Sequence, residues 1–256
     1  MIKCLLMFVF LLSSTFTIQA ENIGWGIPRS KDGIQPFPGK EYDELIRTND
    51  AYYIGSPDEK VIYLTFDTGY EIGNTSIILD VLKEHHVPTT FFVTGHFLTE
   101  QKDLVKRMAD EGHIVGNHTW NHPNLTTIPK DQFIKELTLV EEAYKEITNK
   151  EMIKVVRPPE GCLNQQTLDY AKEMGYYTIM WSLAYVDWKI DSQQGWEHPY
   201  NQILERVHPG AIILMHSVSK DNADALDKLI PKLKEEGYEF KSIQYLLTSE
   251  MIEPLE

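Results

Sequence analysis

Five short stretches of this chain carry side chains able to move protons, hold a cation or fix a carboxylate. The first is Val61-Ile62-Tyr63-Leu64-Thr65-Phe66-Asp67-Thr68-Gly69, an apolar, β-branched and aromatic run that ends abruptly in a carboxylate and a glycine. An aspartate at the carboxyl end of a buried strand faces the ligand side of a barrel or open α/β sheet. The same residue could instead cap the next helix or form an Asx-turn. The second stretch is Asn117-His118-Thr119-Trp120-Asn121-His122. Histidines at i and i+4 on one turn of helix point the same way and suit a divalent metal. On a loop they are ordinary surface residues. The third is Arg157-Pro158-Pro159-Glu160-Gly161. Its two prolines stiffen the exit from a strand, so the guanidinium is aimed and can hold a carboxylate, whether in a site or in a plain salt bridge. The fourth and fifth are Ala184-Tyr185-Val186-Asp187-Trp188 and Leu214-Met215-His216-Ser217. A histidine closing an apolar run is either a satisfied core residue or an acid–base group, and an aspartate to orient and charge it favours the second reading.

What must position these groups is an alternation that begins at Val61. Strands are expected at 61–67, 89–94, 114–117, 154–157, 177–182, 211–216 and 239–243. Between them, apolar residues recur at helical spacing over 75–86, 100–111, 130–148, 164–174, 199–207 and 221–236. Gly112, Gly175 and Gly237 fall just past three of these helices, where a left-handed residue ends a helix. Seven strands alternating with helices mean parallel β/α units, and short apolar strands mean burial on both faces. The expected fold class is α/β, a distorted (β/α) barrel. Asp67, His118 with His122, Arg157, Asp187 and His216 then share one rim, a distribution that stability alone does not require. Of the other six histidines, only His96 is placed to line the same cleft.

The remaining sequence bounds the setting. Lys3, the apolar run Cys4 to Leu12 and the more polar stretch ending Ile18-Gln19-Ala20 read as a signal peptide over residues 1–20, with an uncleaved anchor as the alternative. Residues 21–60, rich in Gly, Pro and charge, read as an arm wrapping a domain at 61–247, with a tail at 248–256. The arm holds one helix near Glu41 to Thr48 and the anchors Trp25, Phe37, Tyr52 and Tyr53. Without the leader, Cys162 is the one cysteine left, expected to be a small buried residue with no disulfide. A net charge of −14 and no dense basic block exclude nucleic acid as a partner. A secreted or extracytoplasmic monomer is expected.

In order along the chain, these motifs resemble the polysaccharide deacetylase family with the NodB homology domain, the family 4 carbohydrate esterases. Thr65-Phe66-Asp67-Thr68-Gly69 matches its Thr-Phe-Asp-Asp-Gly motif, and His118-Thr119-Trp120-Asn121-His122 its His-Ser/Thr-x-x-His motif. Arg157 to Gly161, Asp187-Trp188 and Leu214-Met215-His216 match the rest. The resemblance implies a distorted barrel and metal-assisted hydrolysis of N-acetyl groups on glycans. It makes Asp67 the base, Arg157 its orienting partner, and His216 the acid tuned by Asp187. His118 and His122 become metal ligands, for zinc above other divalent cations. The N–H of Glu160 becomes an oxyanion donor, with Tyr70 and Trp188 as substrate contacts. Thr68 stands where the family has a third metal ligand, an aspartate, so a weakened metal site is expected. Phe66-Asp67-x-Gly69-Tyr70-Glu71, Gly24-Trp25-Gly26, Val186 to Lys189 and His208 to Ala211 are similar to the muramic acid deacetylases of spore-forming bacilli. That similarity implies N-acetylmuramic acid in peptidoglycan strands as substrate and muramic δ-lactam of the spore cortex as the downstream product. An N-acetylglucosamine or chitin-type deacetylase and a non-catalytic glycan-binding homologue are the alternatives.

Overall fold

The computed structural model describes residues 22–250. The expected signal peptide with Cys4, and residues 251–256 of the expected tail, lie outside the described residues. The hub is β3 (Val61–Thr68), buried along its whole length. Before it, the arm contributes β1 (Ile23–Gly24), α1 (Lys40–Arg47) and β2 (Ala51–Tyr52). From β3 the chain continues through α2 (Asn74–Glu84), β4 (Thr89–Val93), α3 (Gly95–Glu100), α4 (Lys102–Asp110), β5 (Ile114–Asn117) and α5 (Lys130–Thr148). Then follow β6 (Val155–Val156), β7 (Cys162–Leu163), α6 (Gln165–Glu173), β8 (Tyr177–Ile179) and α7 (Glu197–Leu204). It ends in β9 (Ala211–His216), α8 (Lys220–Glu235), β10 (Glu239–Phe240) and α9 (Ile243–Glu250).

All pairings in the main sheet are parallel. β3 pairs with β4, β9 and β10, and the sheet runs on through β5, β6 and β8 to β2. Residues after β8 close the ring against β9: Ser182 N–H donates to Ile212 O at 3.0 Å, and Leu214 N–H to Leu183 O at 2.9 Å. The result is the distorted barrel that the alternation implies.

Period two along β3 explains why chemistry sits at one end. Ile62, Leu64 and Phe66 face outward and pack with Ile78, Leu79, Leu82 and Leu229 of the helix layer. Val61 and Tyr63 face inward onto Phe92, Val155, Ile212 and, from α9, Ile243 and Leu246. The next inward residues, Thr65 and Asp67, are polar. An apolar plug therefore fills the lower barrel, and the same face turns hydrophilic toward the carboxyl end.

The structure departs from expectation in several places. Residues 239–243 are not one strand: β10 stops at Phe240 and Ile243 begins α9, because its apolar side is needed to floor the barrel. The helix expected over 100–111 is α4, and an unexpected short helix, α3, precedes it, separated at Gln101 (φ −126°, ψ 43°). Strand β2 in the arm joins the sheet edge, Ala51 opposite Thr178. Of the arm's expected anchors, Trp25 and Tyr53 are buried and Tyr52 half-buried, but Phe37 is 58% exposed. Cys162 is part-exposed rather than buried; it lies in β7, a short strand paired antiparallel with β1 at the surface.

Candidate active site

The β3–β9 register sets Asp67 beside His216 at the carboxyl ends of adjacent strands. Arg157, at the end of β6, is fully buried beneath them. Its Nη1 donates to Asp67 Oδ1 at 2.8 Å and to Thr65 Oγ1 at 2.9 Å, while Nε and Nη2 donate to the carbonyls of Ile179 and Met180. The guanidinium also lies 4.2 Å from the Phe92 ring centre. Burial alone would raise the Asp67 pKa, but Arg157, with His118 and His216, outweighs it and holds the carboxyl below its ordinary value. Asp67 is thus an ionised, fixed acceptor.

His216 has the opposite bias. Asp187 Oδ1 is 2.7 Å from its Nδ1, and Asp187 Oδ2 accepts the His216 backbone N–H at 2.8 Å and Asn222 Nδ2 at 2.6 Å. Burial would depress the imidazole, yet the Asp187 bond and charge, helped by Asp67, raise it above the usual value. The carboxylate fixes Nδ1 as the protonated nitrogen, leaving Nε2 to face the cleft.

His118 and His122 do not lie on a helical turn, which corrects the expectation from their spacing. Thr119 (φ 66°) and His122 (φ 57°) are left-handed, and the segment is a loop after β5. The loop is held from below: Asn117 Oδ1 accepts Thr119 N–H at 2.9 Å, Thr119 Oγ1 accepts His122 N–H at 3.0 Å, and buried Glu136 receives both the N–H and the side-chain amide of Asn121. The two rings still meet, their centres 4.9 Å apart. His118 Nδ1 lies 2.8 Å from Arg157 O, so it carries the proton, and its Nε2 lone pair faces Asp67 Oδ2 at 3.5 Å. Two acceptors so placed favour a proton or cation between them. Burial lowers the His118 pKa to about 4, so the ring is neutral.

The metal set implied by the resemblance is incomplete. Among the described residues no group of three or more His, Cys, Asp or Glu is placed to hold a metal. Thr68 offers only a buried hydroxyl oxygen, without a hydrogen-bond partner. The chain therefore presents two imidazoles and a neutral oxygen in place of two imidazoles and a second carboxylate.

Asp67, Thr68, His118, His122, Asp187, His216 and Asn222 line a single cleft of about 1900 Å³, with Tyr70, His96, Trp120, Glu160 and Trp188, while Arg157, Thr65 and Glu136 lie behind its wall. Tyr70 (69% exposed) and Trp188 (50% exposed) stand at its rim; Trp188 lies 5.3 Å from the His216 ring and Tyr70 4.9 Å from His96, centre to centre. Glu160 sits in a kink of left-handed backbone (φ 58°) in a short 3-10 turn. Behind that turn, Trp25 N–H donates to Gly161 O at 2.8 Å and Trp25 Nε1 to Trp181 O at 2.9 Å. Sequence reasoning missed Thr65, Asn222 and Glu136. Thr65 carried a signal, being the polar residue two before Asp67 on the same strand face. Asn222 and Glu136 are helix residues with no local mark, brought in by packing alone.

Comparison with known proteins agrees with this fold. Residues 54–179 match the family described as polysaccharide deacetylase. The chain is 51% identical to the peptidoglycan-N-acetylmuramic acid deacetylase PdaA of Bacillus subtilis, over 89% of this chain and 86% of that protein. It superimposes on the solved structure of Bacillus subtilis PdaA, a family 4 carbohydrate esterase, with a TM-score of 0.88 at 50% identity, covering 90% of this chain and 98% of that one. A family 4 carbohydrate esterase from Bacillus anthracis matches with a TM-score of 0.76 at 47% identity, over 90% and 97% of the two chains. With half of its residues shared with PdaA over nearly the whole fold, the chain belongs to the polysaccharide deacetylase family, hydrolases of the N-acetyl amide bond.

Proposed function

We propose that this chain removes the acetyl group from N-acetylmuramic acid in peptidoglycan strands, outside the cytoplasmic membrane, as a monomer. The observation that carries the chemistry is the pairing of Asp67 and His216 on adjacent strand ends with their protonation preferences pushed apart. The 51% identity to PdaA supports the sugar. The apolar leader supports the location.

In this reading the acetamide enters between the two groups. Asp67 takes a proton from water as its oxygen bonds to the carbonyl carbon, and Arg157 keeps the carboxylate aimed. A carboxylate with a lowered pKa is a weak base, so proton delivery must help: His216 gives its Nε2 proton to the nitrogen as the C–N bond breaks, and acetate and free amine leave. Asp187 holds the imidazolium for that step. The Glu160 N–H is the candidate donor to the oxyanion, with Tyr70 and Trp188 against the sugar. A divalent cation, zinc by its affinity for imidazole, is proposed at His118 and His122, where it would polarise the carbonyl. The freed amine lies on the same sugar as the lactyl carboxylate and can close on it. On that chemistry we place the enzyme before δ-lactam formation in spore-cortex peptidoglycan, on strands from which the stem peptide has been removed.

The test is mass spectrometry of muropeptides after incubation with purified enzyme, with and without chelator. Loss of acetyl groups from muramic acid residues is expected. Loss from N-acetylglucosamine residues alone would replace this reading with the glucosamine one, and binding without any acetate release would make the chain a glycan-binding homologue.

A further inference from the structure

Acid–base chemistry leaves one feature of the cleft unused. Arg29, in the arm, and Arg206, just after α7, both line it, and neither makes an ion pair among the described residues. Arg206 is 8% exposed and fixed in place: its Nε donates to Gln202 O at 2.7 Å and its Nη1 to Ala184 O at 3.0 Å. Its Nη2 is buried without a partner. Ala184 leads directly into Tyr185 and Asp187, so this cation is built into the wall that carries the partner of His216. Arg29 is exposed. Burial, and next the charge of Arg29, push the Arg206 guanidinium below its ordinary value; Tyr185 and Glu205 pull the other way. Two cations therefore line one cleft of a chain whose net charge is −14. A buried guanidinium with no carboxylate partner is unfavourable unless an anion in the cleft balances its charge.

We propose that Arg29 and Arg206 form an anion site for a lactyl carboxylate of the bound glycan, Arg29 making the contact and Arg206 supplying fixed positive charge behind it. The proposal rests on the muramic acid reading above. The lactyl ether distinguishes muramic acid from glucosamine, and it supplies the carboxylate of a peptide-free strand. On a strand that still bears stem peptides the same group is an uncharged amide. The site thus reads both the sugar and the removal of its peptide through one charge.

The experiment compares peptide-free glycan strands with the same strands whose lactyl groups are methyl esters, using the full chain and following acetate release. A charge-assisted contact predicts a preference for the acid of roughly tenfold or more in kcat/KM. Arg29→Gln should collapse that ratio, Arg29→Lys keep most of it, and Arg29→Glu invert it; at an exposed position none of these threatens folding. Equal rates on acid and ester by the wild-type enzyme would overturn the site while leaving the muramic acid reading intact. A preference that survives in both Arg29→Gln and Arg29→Glu would also overturn it. Acetate release from N-acetylglucosamine strands only, with none from muramic acid residues, overturns the substrate reading and this site with it.

Discussion

Asp67 and His216 are adjacent titratable groups whose neighbours push their pKa values in opposite directions, and this sets the pH dependence. Asp67 is ionised well into acid because Arg157 opposes the effect of its burial. His216 is raised, so its imidazolium is present below that raised pKa and is lost as pH climbs through it. Activity should therefore fall on the alkaline side above the range of a free histidine. Asp187→Asn removes the cause of the shift, so the alkaline limb of kcat/KM should move to lower pH; a profile that stays in place would dissociate His216 from the limb. Asp67→Asn should cut acetate release by roughly 10²–10⁴-fold with native circular dichroism; a loss under tenfold would remove Asp67 as base. Thr68→Asp restores the family's carboxylate beside the two imidazoles and should tighten zinc binding in calorimetric titration, whereas an unchanged affinity would refute the missing-ligand argument. Asp187 stands further along the loop after β8, while Asp67, His118, Arg157 and His216 could be read from sequence because each lies at a strand end or directly after one. Asn222, which completes the Asp187 cage, could not, since nothing local distinguishes one asparagine near a helix start from another.

At the scale of elements, periodicity located most of the strands and helices, and left-handed loop residues account for its misreading of the histidine segment. The His118–His122 spacing looked helical, yet Thr119 and His122 take positive φ and the rings meet through a loop buttressed by Asn117 and Glu136. Backbone of this kind has no period to detect. Gly95, the first residue of α3, lies against the same loop: its N–H is 3.2 Å from Thr119 O and 3.1 Å from Trp120 O. A Cβ there would stand 2.3 Å from Trp120 Cδ2 and 2.7 Å from Trp120 O. A side-chain ring can swing away but a backbone oxygen cannot, so the loop itself must shift. Gly95→Ala should therefore destabilise by about 1–3 kcal/mol in chemical denaturation. It should also reduce acetate release, because the displaced segment carries both histidines; full activity with native stability would show that the loop is not held by this contact.

At the scale of the molecule, the arm is part of the machine rather than an appendage. Composition showed it only as a Gly- and Pro-rich lead-in, and aromatic content could not rank its anchors, because burial is decided by what lies opposite. Trp25 is 6% exposed and packs with Tyr53, ring centres 5.2 Å apart, while its backbone and indole N–H groups bond Gly161 and Trp181. Phe37, of similar hydrophobicity, faces solvent. Trp25→Ala should cost about 3–5 kcal/mol in urea unfolding, and Phe37→Ala no more than about 0.5 kcal/mol. The two effects differ in kind as well as size. Trp25 backs the Pro159–Gly161 turn, which carries Glu160 on the cleft wall, so under the proposed oxyanion role of the Glu160 N–H kcat should fall in Trp25→Ala even where the protein remains fully folded. Phe37→Ala leaves that turn untouched and should leave kcat with it. Equal stability losses, or a Trp25→Ala enzyme with native kcat, would mean that the arm merely covers the barrel; a loss of rate confined to Trp25→Ala makes it a support of the oxyanion side of the site.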